Sequence, residues 1–380
     1  MRIVQLANFH GPASGGLRTA LDALGRGYAA AGHERVLITP GPRYAAWRDG
    51  AGLRVALPGV PVGGGYRLIC TPAALRALRA LLERLTPDSV EVSDKLTLVH
   101  AARWARARGA RAVLLSHERL DAILAPRLPL GAAALRRPSD AWNRRLAHAF
   151  DAVVATSAFS CAEFARVAAP ALYRVPLGVD LGVFAPAETA PRAVAHLVYA
   201  GRLSAEKHPR LPLETLRVLL RRGVPARLDV LGAGPERDRL ERRAYEAGLP
   251  VRFHGHVADR RAVARALARA DVALAPCPVE SFGLAVLEAL ACGTPAVTAN
   301  TGASPELLTP DAGLAAPTTP EATADAVLRL LSIPESRRRT AARKRAEEFP
   351  WERTVRGMLA VHASADPAGS APGAPGDPSA

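Results

Sequence analysis

The chain has 380 residues, 49% of them apolar, which exceeds one ordinary core and suffices for two domains of usual size. A formal net charge of +15 favours an anionic partner such as nucleic acid, an acidic membrane or a phosphorylated substrate; against this, lysine occurs only at Lys95, Lys207 and Lys344, and an arginine- and alanine-rich composition produces such a charge by itself. Four widely spaced cysteines (Cys70, Cys161, Cys277, Cys292) without a C-x-x-C pair indicate neither a zinc site nor a disulfide framework, and no apolar run approaches roughly 18 residues, so a reduced, cytoplasmic protein without a spanning segment is expected.

In chain order, Arg2 to Ala7 reads as a buried strand, Asn8 to Ser14 as a loop, and Gly15-Gly16 opens a helix from Leu17 to Ala31. Strand, glycine-rich turn and helix make a phosphate-binding candidate, because glycine admits a ligand to the backbone and the helix terminus supplies N–H donors; tight-turn geometry alone is the commoner reason for such glycines. Apolar runs at Arg35 to Thr39, Val55 to Leu57, Ser89 to Val92, Ala112 to Ser116 and Ala152 to Ala155 alternate with helical stretches, the pattern of a mostly parallel, doubly wound sheet. Ligands in such sheets sit beyond the carboxyl ends of the strands, which singles out Asn8 to His10, Asp94, and above all His117 with Glu118 beside it. A structural or solvent-facing histidine is the competing reading. Ala73 to Leu85 is a basic amphipathic helix, suited to packing on the sheet or to lying on anionic lipid. Arg127, Arg136, Arg137, Arg144 and Arg145 add to a basic face beside His117.

A boundary near residue 180, followed by the Pro/Ala-rich stretch Ala185 to Arg192, divides the chain into similar halves. Strands are expected at His196 to Ala200, Ala226 to Leu231, Val251 to His254, Asp271 to Pro276 and Pro295 to Ala299. Behind the first, Arg202 offers a planar fork and Lys207 a point charge, a pairing suited to a diphosphate leaving group. Leu231-Gly232-Ala233-Gly234 suggests a dinucleotide motif, but Arg237 occupies the place of its third glycine. In PCPVESFGLAVLEALACGTPAV, Pro276 to Val297, Glu280 falls in a loop and Glu288 within the following helix, whose amino terminus between them attracts phosphate. Carboxylates on either side suit hydroxyl groups, so the stretch reads as a sugar-nucleotide site. Thr301-Gly302 with Pro305-Glu306 forms another polar loop, and helices over Pro320 to Leu331, Glu335 to Glu348 and Trp351 to His362 close the chain. The expected domains are residues 1–178 and 179–350, both Rossmann-like, with a helix at 351–362 and a disordered Pro/Gly/Ser/Ala tail at 363–380.

GRLSAEKHP, LGAGPERDRL, FHGHV and ESFGLAVLEALACGTPAV, in this order, resemble the retaining glycosyltransferases of family GT4, and VQLANFHGPASGGLRTALDAL, VEVSDKLTL, LLSHERLD and VPLGVDLGVF extend the likeness over nearly the whole chain. Within that family these segments look most like actinobacterial GDP-mannose-dependent α-mannosyltransferases that act on phosphatidylinositol mannosides. The resemblance implies the GT-B fold, an α/β architecture of two doubly wound Rossmann-like domains facing across a cleft, with residues 1–178 on the acceptor side and 179–350 binding the nucleotide sugar. It implies that Gly15 and Gly16 approach the donor phosphate, Arg202 and Lys207 hold the diphosphate, and Glu280 contacts hydroxyls of the transferred sugar. It further implies backbone N–H donors at Phe282, Gly283 and Leu284, ribose binding by Glu288, the base near the backbone of His254 and Gly255, and His117 near sugar and acceptor. No metal and no cofactor beyond a nucleotide-sugar donor, GDP-mannose, are expected. The expected partners are that donor, a glycolipid or other glycoconjugate acceptor and an anionic membrane surface on the cytoplasmic side, with no nucleic acid. A sugar-nucleotide hydrolase or epimerase of the same architecture, or a non-catalytic nucleotide-sugar-binding protein, are the alternatives.

Overall fold

The computed structural model describes residues 1–11, 15–62, 65–121, 132–187 and 193–364, so part of the Asn8 to Ser14 loop, Arg127, most of Ala185 to Arg192 and the tail from residue 365 lie outside the described residues. The chain forms two compact units, Met1–Pro176 joined by the segment from Thr354, and Leu177–Arg353. The helix Trp351–Ala363 therefore follows the second unit in sequence but packs its later turns in the first.

The first unit is built on strands β1 (Arg2–Leu6), β2 (Glu34–Gly41), β3 (Ala45–Asp49), β4 (Gly52–Pro58), a small pair β5 (Val60–Pro61) and β6 (Arg67–Leu68), then β7 (Ser89–Val92), β8 (Arg111–Ser116), β9 (Ala152–Ala155) and β10 (Leu172–Arg174). The main sheet runs β10-β9-β8-β7-β1-β2-β4-β3, parallel throughout except for the β3–β4 hairpin. Alternate strand residues face opposite sides, as the period of two requires. Val4, Leu6, Val36, Ile38, Val90 and Leu114 meet the helices Pro72–Leu85 and His100–Ala107 on one face. Ile3, Val113, Leu115 and Val154 meet Met358 and Val361 of the last helix on the other. The helix Pro72–Leu85 starts where Thr71 accepts from the Ala74 N–H at 3.2 Å and Pro72 needs no donor. Its Leu78 and Leu82 are buried and its Arg76, Arg79 and Arg84 exposed, so the apolar face is occupied by the sheet. The β3–β4 hairpin enlarges the run expected at Val55 to Leu57, with Asp49-Gly50-Ala51-Gly52 as its turn.

The second unit carries β11 (Ala195–Ala200), β12 (Ala226–Leu231), β13 (Val251–Gly255), β14 (Val272–Ala275), β15 (Ala296–Ala299) and β16 (Gly313–Ala316), all parallel, in the order β13-β12-β11-β14-β15-β16. The six helices Arg210–Arg221, Arg237–Glu246, Arg260–Arg269, Leu284–Ala291, Pro320–Leu331 and Glu335–Glu347 belong to it. Both sheets are those of doubly wound α/β domains. No helix among the described residues is long and apolar enough to cross a membrane.

Candidate active site

In the second sheet β11 has β12 on one side and β14 on the other, so the loops leaving β11 and β14 part company at the carboxyl edge. Such a switch of direction leaves a crevice over the strand ends. Lys207 ends the short turn Ala205–Lys207 after β11, Glu280 lies in the loop after β14, and the Lys207 Nζ donates to Glu280 Oε2 at 2.6 Å. Burial disfavours the ammonium, but the adjacent Glu280 carboxylate outweighs it and raises the lysine above its ordinary range. The Glu280 loop is held from the Thr301 to Pro305 side: Ala303 N–H donates to Glu280 O at 2.8 Å and Thr301 Oγ1 to Pro278 O at 3.0 Å. Gly302, at φ +80°, lies against this loop, where an added Cβ would stand 3.1 Å from Glu280 N. Arg202 is exposed, and its carbonyl accepts from the Tyr199 hydroxyl at 2.9 Å.

The next helix, Leu284–Ala291, begins at Gly283 with φ +100°, and no side chain caps its first N–H groups. Its amino terminus is thus a positive, donor-rich end beside Glu280. Phe282 is buried edge-on to Phe349, with ring centroids 6.5 Å apart, so this residue offers a ligand its backbone. Four residues into the helix, Glu288 Oε1 accepts from Arg260 Nη2 at 3.0 Å. Burial raises the Glu288 carboxyl above the ordinary carboxylate range and Arg260 pulls it part of the way back. Arg260 opens the helix Arg260–Arg269 and lies 4.9 Å from the Phe184 ring centroid. As one arginine in an arginine-rich chain, it carried no signal in the sequence.

His254 stands at the end of β13 with Nε2 3.3 Å from Asp229, which also accepts from His196 at 2.8 Å. Burial pushes the Asp229 carboxyl up, and its bonds to the two histidines overcome this and hold it low. The Gly255 carbonyl accepts from Gly232 N–H at 2.8 Å. A Cβ on Gly232 would run into the Gly201 carbonyl and one on Gly234 into the Leu203 carbonyl. These glycines let the loops after β11 and β12 touch, which accounts for the pattern without a dinucleotide.

In the first unit Gly15 precedes the helix Gly16–Ala30, again without a side-chain cap, and a Cβ there would meet nothing within 4 Å. His117 directly follows β8. Its Nε2 is 3.8 Å from Glu118 Oε1, and both ring nitrogens are shielded from solvent without a hydrogen-bond partner among the described residues. Asn8 and Asp94 are buried and bonded to one another at 3.0 Å, and Asp94 also accepts from Thr97 and Leu98 N–H groups, so they tie strand-end loops together. Arg136, Arg137, Arg144 and Arg145 are exposed on the helix Ala132–Ala149. No group of three His, Cys, Asp or Glu residues among the described residues has the arrangement of a metal site.

Residues 15–178 match the glycosyl transferase 4-like domain and residues 187–347 the glycosyl transferases group 1 domain. The chain is 48% identical, over 95% of its length and 96% of the relative's, to a GDP-mannose-dependent alpha-(1-6)-phosphatidylinositol dimannoside mannosyltransferase from Mycobacterium tuberculosis. A D-inositol 3-phosphate glycosyltransferase from Saccharomonospora viridis is 36% identical over 52% of this chain and 51% of its own. Among solved structures, a sucrose-phosphate synthase from Thermosynechococcus elongatus superposes with a TM-score of 0.80 at 22% identity, covering 95% of this chain and 98% of that one. With both halves matched and a relative of equal extent, the chain belongs to the GT4 family of glycosyltransferases and has the GT-B fold.

Proposed function

We propose that the protein transfers mannose from GDP-mannose to a phosphatidylinositol mannoside, forming an α-linkage with retention of configuration. The observation that carries this reading is the 48% identity to the mycobacterial mannosyltransferase across almost the full length of both chains. The second unit offers the matching chemistry. Arg202 and Lys207 neutralise the diphosphate as the glycosidic bond breaks, and the N–H groups of Gly283 and Leu284 at the helix amino terminus add fixed donors. Glu280 accepts from hydroxyls of the mannose and Glu288 from those of the ribose, with the guanine against the backbone at His254 and Gly255. Gly15 and Gly16 approach the diphosphate and His117 the sugar and acceptor. The acceptor hydroxyl bonds to the anomeric carbon on the face the diphosphate leaves, and its proton passes to the departing phosphate oxygen. No metal is needed in this scheme, so transfer should persist in EDTA. A lipid acceptor places the enzyme at the inner face of the membrane as a peripheral protein, with exposed arginines such as Arg76, Arg79, Arg136 and Arg137 facing anionic headgroups.

Incubating the purified protein with radiolabelled GDP-mannose and phosphatidylinositol mannosides should yield a glycolipid one hexose heavier by mass analysis. GDP-mannose breakdown without such a product would replace this reading by a hydrolase. Transfer from UDP-glucose but not from GDP-mannose would overturn the donor.

A further inference from the structure

Lys95, one of only three lysines, is in the loop after β7. Its side chain is buried, with Nζ 4.9 Å from the Phe164 ring centroid, and Trp142 Nε1 donates to its carbonyl at 2.9 Å. The ammonium has two oxygen acceptors: Glu163 Oε2 at 2.7 Å and the Glu118 carbonyl at 2.6 Å. Glu163 is fully buried in the helix Ala158–Ala165, whose start is set by Ser157 accepting from Ser160 N–H at 3.0 Å. Its second oxygen accepts from the Leu120 N–H at 2.7 Å. A buried ion pair thus grips the backbone on both sides of Arg119, immediately after His117. The same turn is held again by Arg119 bonding to Asp121 at 2.7 Å and by Arg166 reaching Asp121 at 3.0 Å.

Stability alone does not account for this pair. Removing two charges from water costs about as much as their attraction returns, and well-packed apolar replacements of a buried pair are often neutral or stabilising. What an apolar pair cannot do is bind one carbonyl and one N–H of a neighbouring loop. Lysine suits the task because its compact ammonium fits between two acceptors, where a planar guanidinium would need more room.

We propose that Lys95 and Glu163 are positioning residues for catalysis, a buried strut that fixes the turn following β8 and thereby the place of the His117 imidazole. The proposal rests on the reading of His117 as a group beside the transferred sugar. It requires no contact of either residue with substrate, and it assigns the two residues an effect on turnover and little on donor binding, because the charged groups proposed to hold the diphosphate and the ribose, Arg202, Lys207 and Glu288, belong to the second unit.

The test uses the full chain carrying Lys95→Met together with Glu163→Leu, which removes both charges and keeps the volume. The melting temperature should stay close to that of the parent, hydrogen exchange across residues 117–121 should speed up by about tenfold or more, and kcat should fall by about tenfold or more with the KM for GDP-mannose within about twofold. Unchanged exchange would overturn the strut, and faster exchange with parental kcat would overturn its catalytic role. If the double variant does not fold, Glu163→Gln decides by the same readings: it keeps an acceptor for Leu120 N–H and loses the charge facing Lys95, so intermediate changes are expected, and parental exchange and kcat would overturn the proposal. His117→Ala is measured alongside; parental turnover there would remove the His117 reading, while the exchange result would still judge the strut by itself.

Discussion

Each unit uses a lysine–glutamate pair at the carboxyl edge of its sheet, and the two pairs differ in burial. Lys207 and Glu280 are 30% and 25% exposed, whereas Lys95 and Glu163 are 7% and 0% exposed. The exposed pair bridges the loops at the topological switch of the second sheet, and its partners are groups a sugar diphosphate can replace: a phosphate for the carboxylate, a hydroxyl for the ammonium. The buried pair is bonded further to the backbone at Glu118 and Leu120 and is shielded from solvent. The same two residue types thus form a part-exposed contact between loops in one unit and a buried, backbone-bound pair in the other. Access to water, and what fills the remaining hydrogen-bond capacity, separate the two roles.

The sharpest way to break this contrast is Lys207→Ala. If the exposed pair is the working one, kcat/KM should fall a hundredfold or more, through loss of a charge that meets the leaving diphosphate, while the melting temperature moves little because a part-exposed pair contributes about 1 kcal/mol or less. A stopped assay for mannosyl transfer with calorimetry alongside decides it; a large drop in stability with turnover retained would make Lys207 a structural residue. Glu288→Gln should come next, at roughly tenfold to a hundredfold in kcat/KM, since a neutral amide cannot accept from two ribose hydroxyls as a carboxylate does. A donor lacking the ribose hydroxyls should show no difference between parent and variant; if it does, Glu288 acts elsewhere. A smaller effect is expected for Gly302→Ala. At φ +80° and 3.1 Å from Glu280 N, a methyl group strains the backbone and shifts the Glu280 loop. A cost of about 1 kcal/mol in stability and several-fold in kcat is expected, and parental kinetics would show that the loop tolerates displacement.

What could be read beforehand follows from what leaves a pattern. Buried parallel strands leave continuous apolar runs, so most of both sheets was legible, and with them the strand-end loops carrying Lys207, Glu280 and His117. Five strands, β3, β5, β6, β10 and β16, were not expected, and two of them show why. The edge strand Ala45–Asp49 has an exposed, mixed surface, and its only cue was the Asp49-Gly50 turn signal. The strand Gly313–Ala316 is four residues of Gly, Leu and Ala with no β-branched or aromatic side chain. At the site, rarity singled out Lys207 but applied equally to Lys95, whose partner Glu163 is 68 residues away in sequence. Arg260 was hidden for the opposite reason, being common in type and distant from Glu288 along the chain. Glycine spacing in Leu231 to Gly234 was visible, but its cause, a close approach of two backbones, became evident only in three dimensions.

The subtlest expectation concerns the pH dependence that Glu288 confers. Burial holds the Glu288 carboxyl above its ordinary value of 4.5, and Arg260 opposes that shift. The folded protein therefore keeps this proton more tightly than the unfolded chain does. The contribution to stability is fully present below the ordinary glutamate value and is lost as pH rises through the raised value. If Glu288 binds the ribose as proposed, donor binding runs the other way, because only the ionised carboxylate accepts from both hydroxyls, and the KM for GDP-mannose should climb as pH falls through that same window. Arg260→Ala removes the opposing charge and should move the acidic limb of the KM profile to higher pH, with near-parental KM on the alkaline side of that limb if Arg260 has no contact of its own with the donor. In the unliganded variant the melting temperature should fall over the same, upward-shifted pH range. KM profiles of parent and variant that superimpose from pH 5 to pH 8 would mean that Glu288 is ionised without help from Arg260, and the ion pair at 3.0 Å would then be packing between two helices and no part of the donor site.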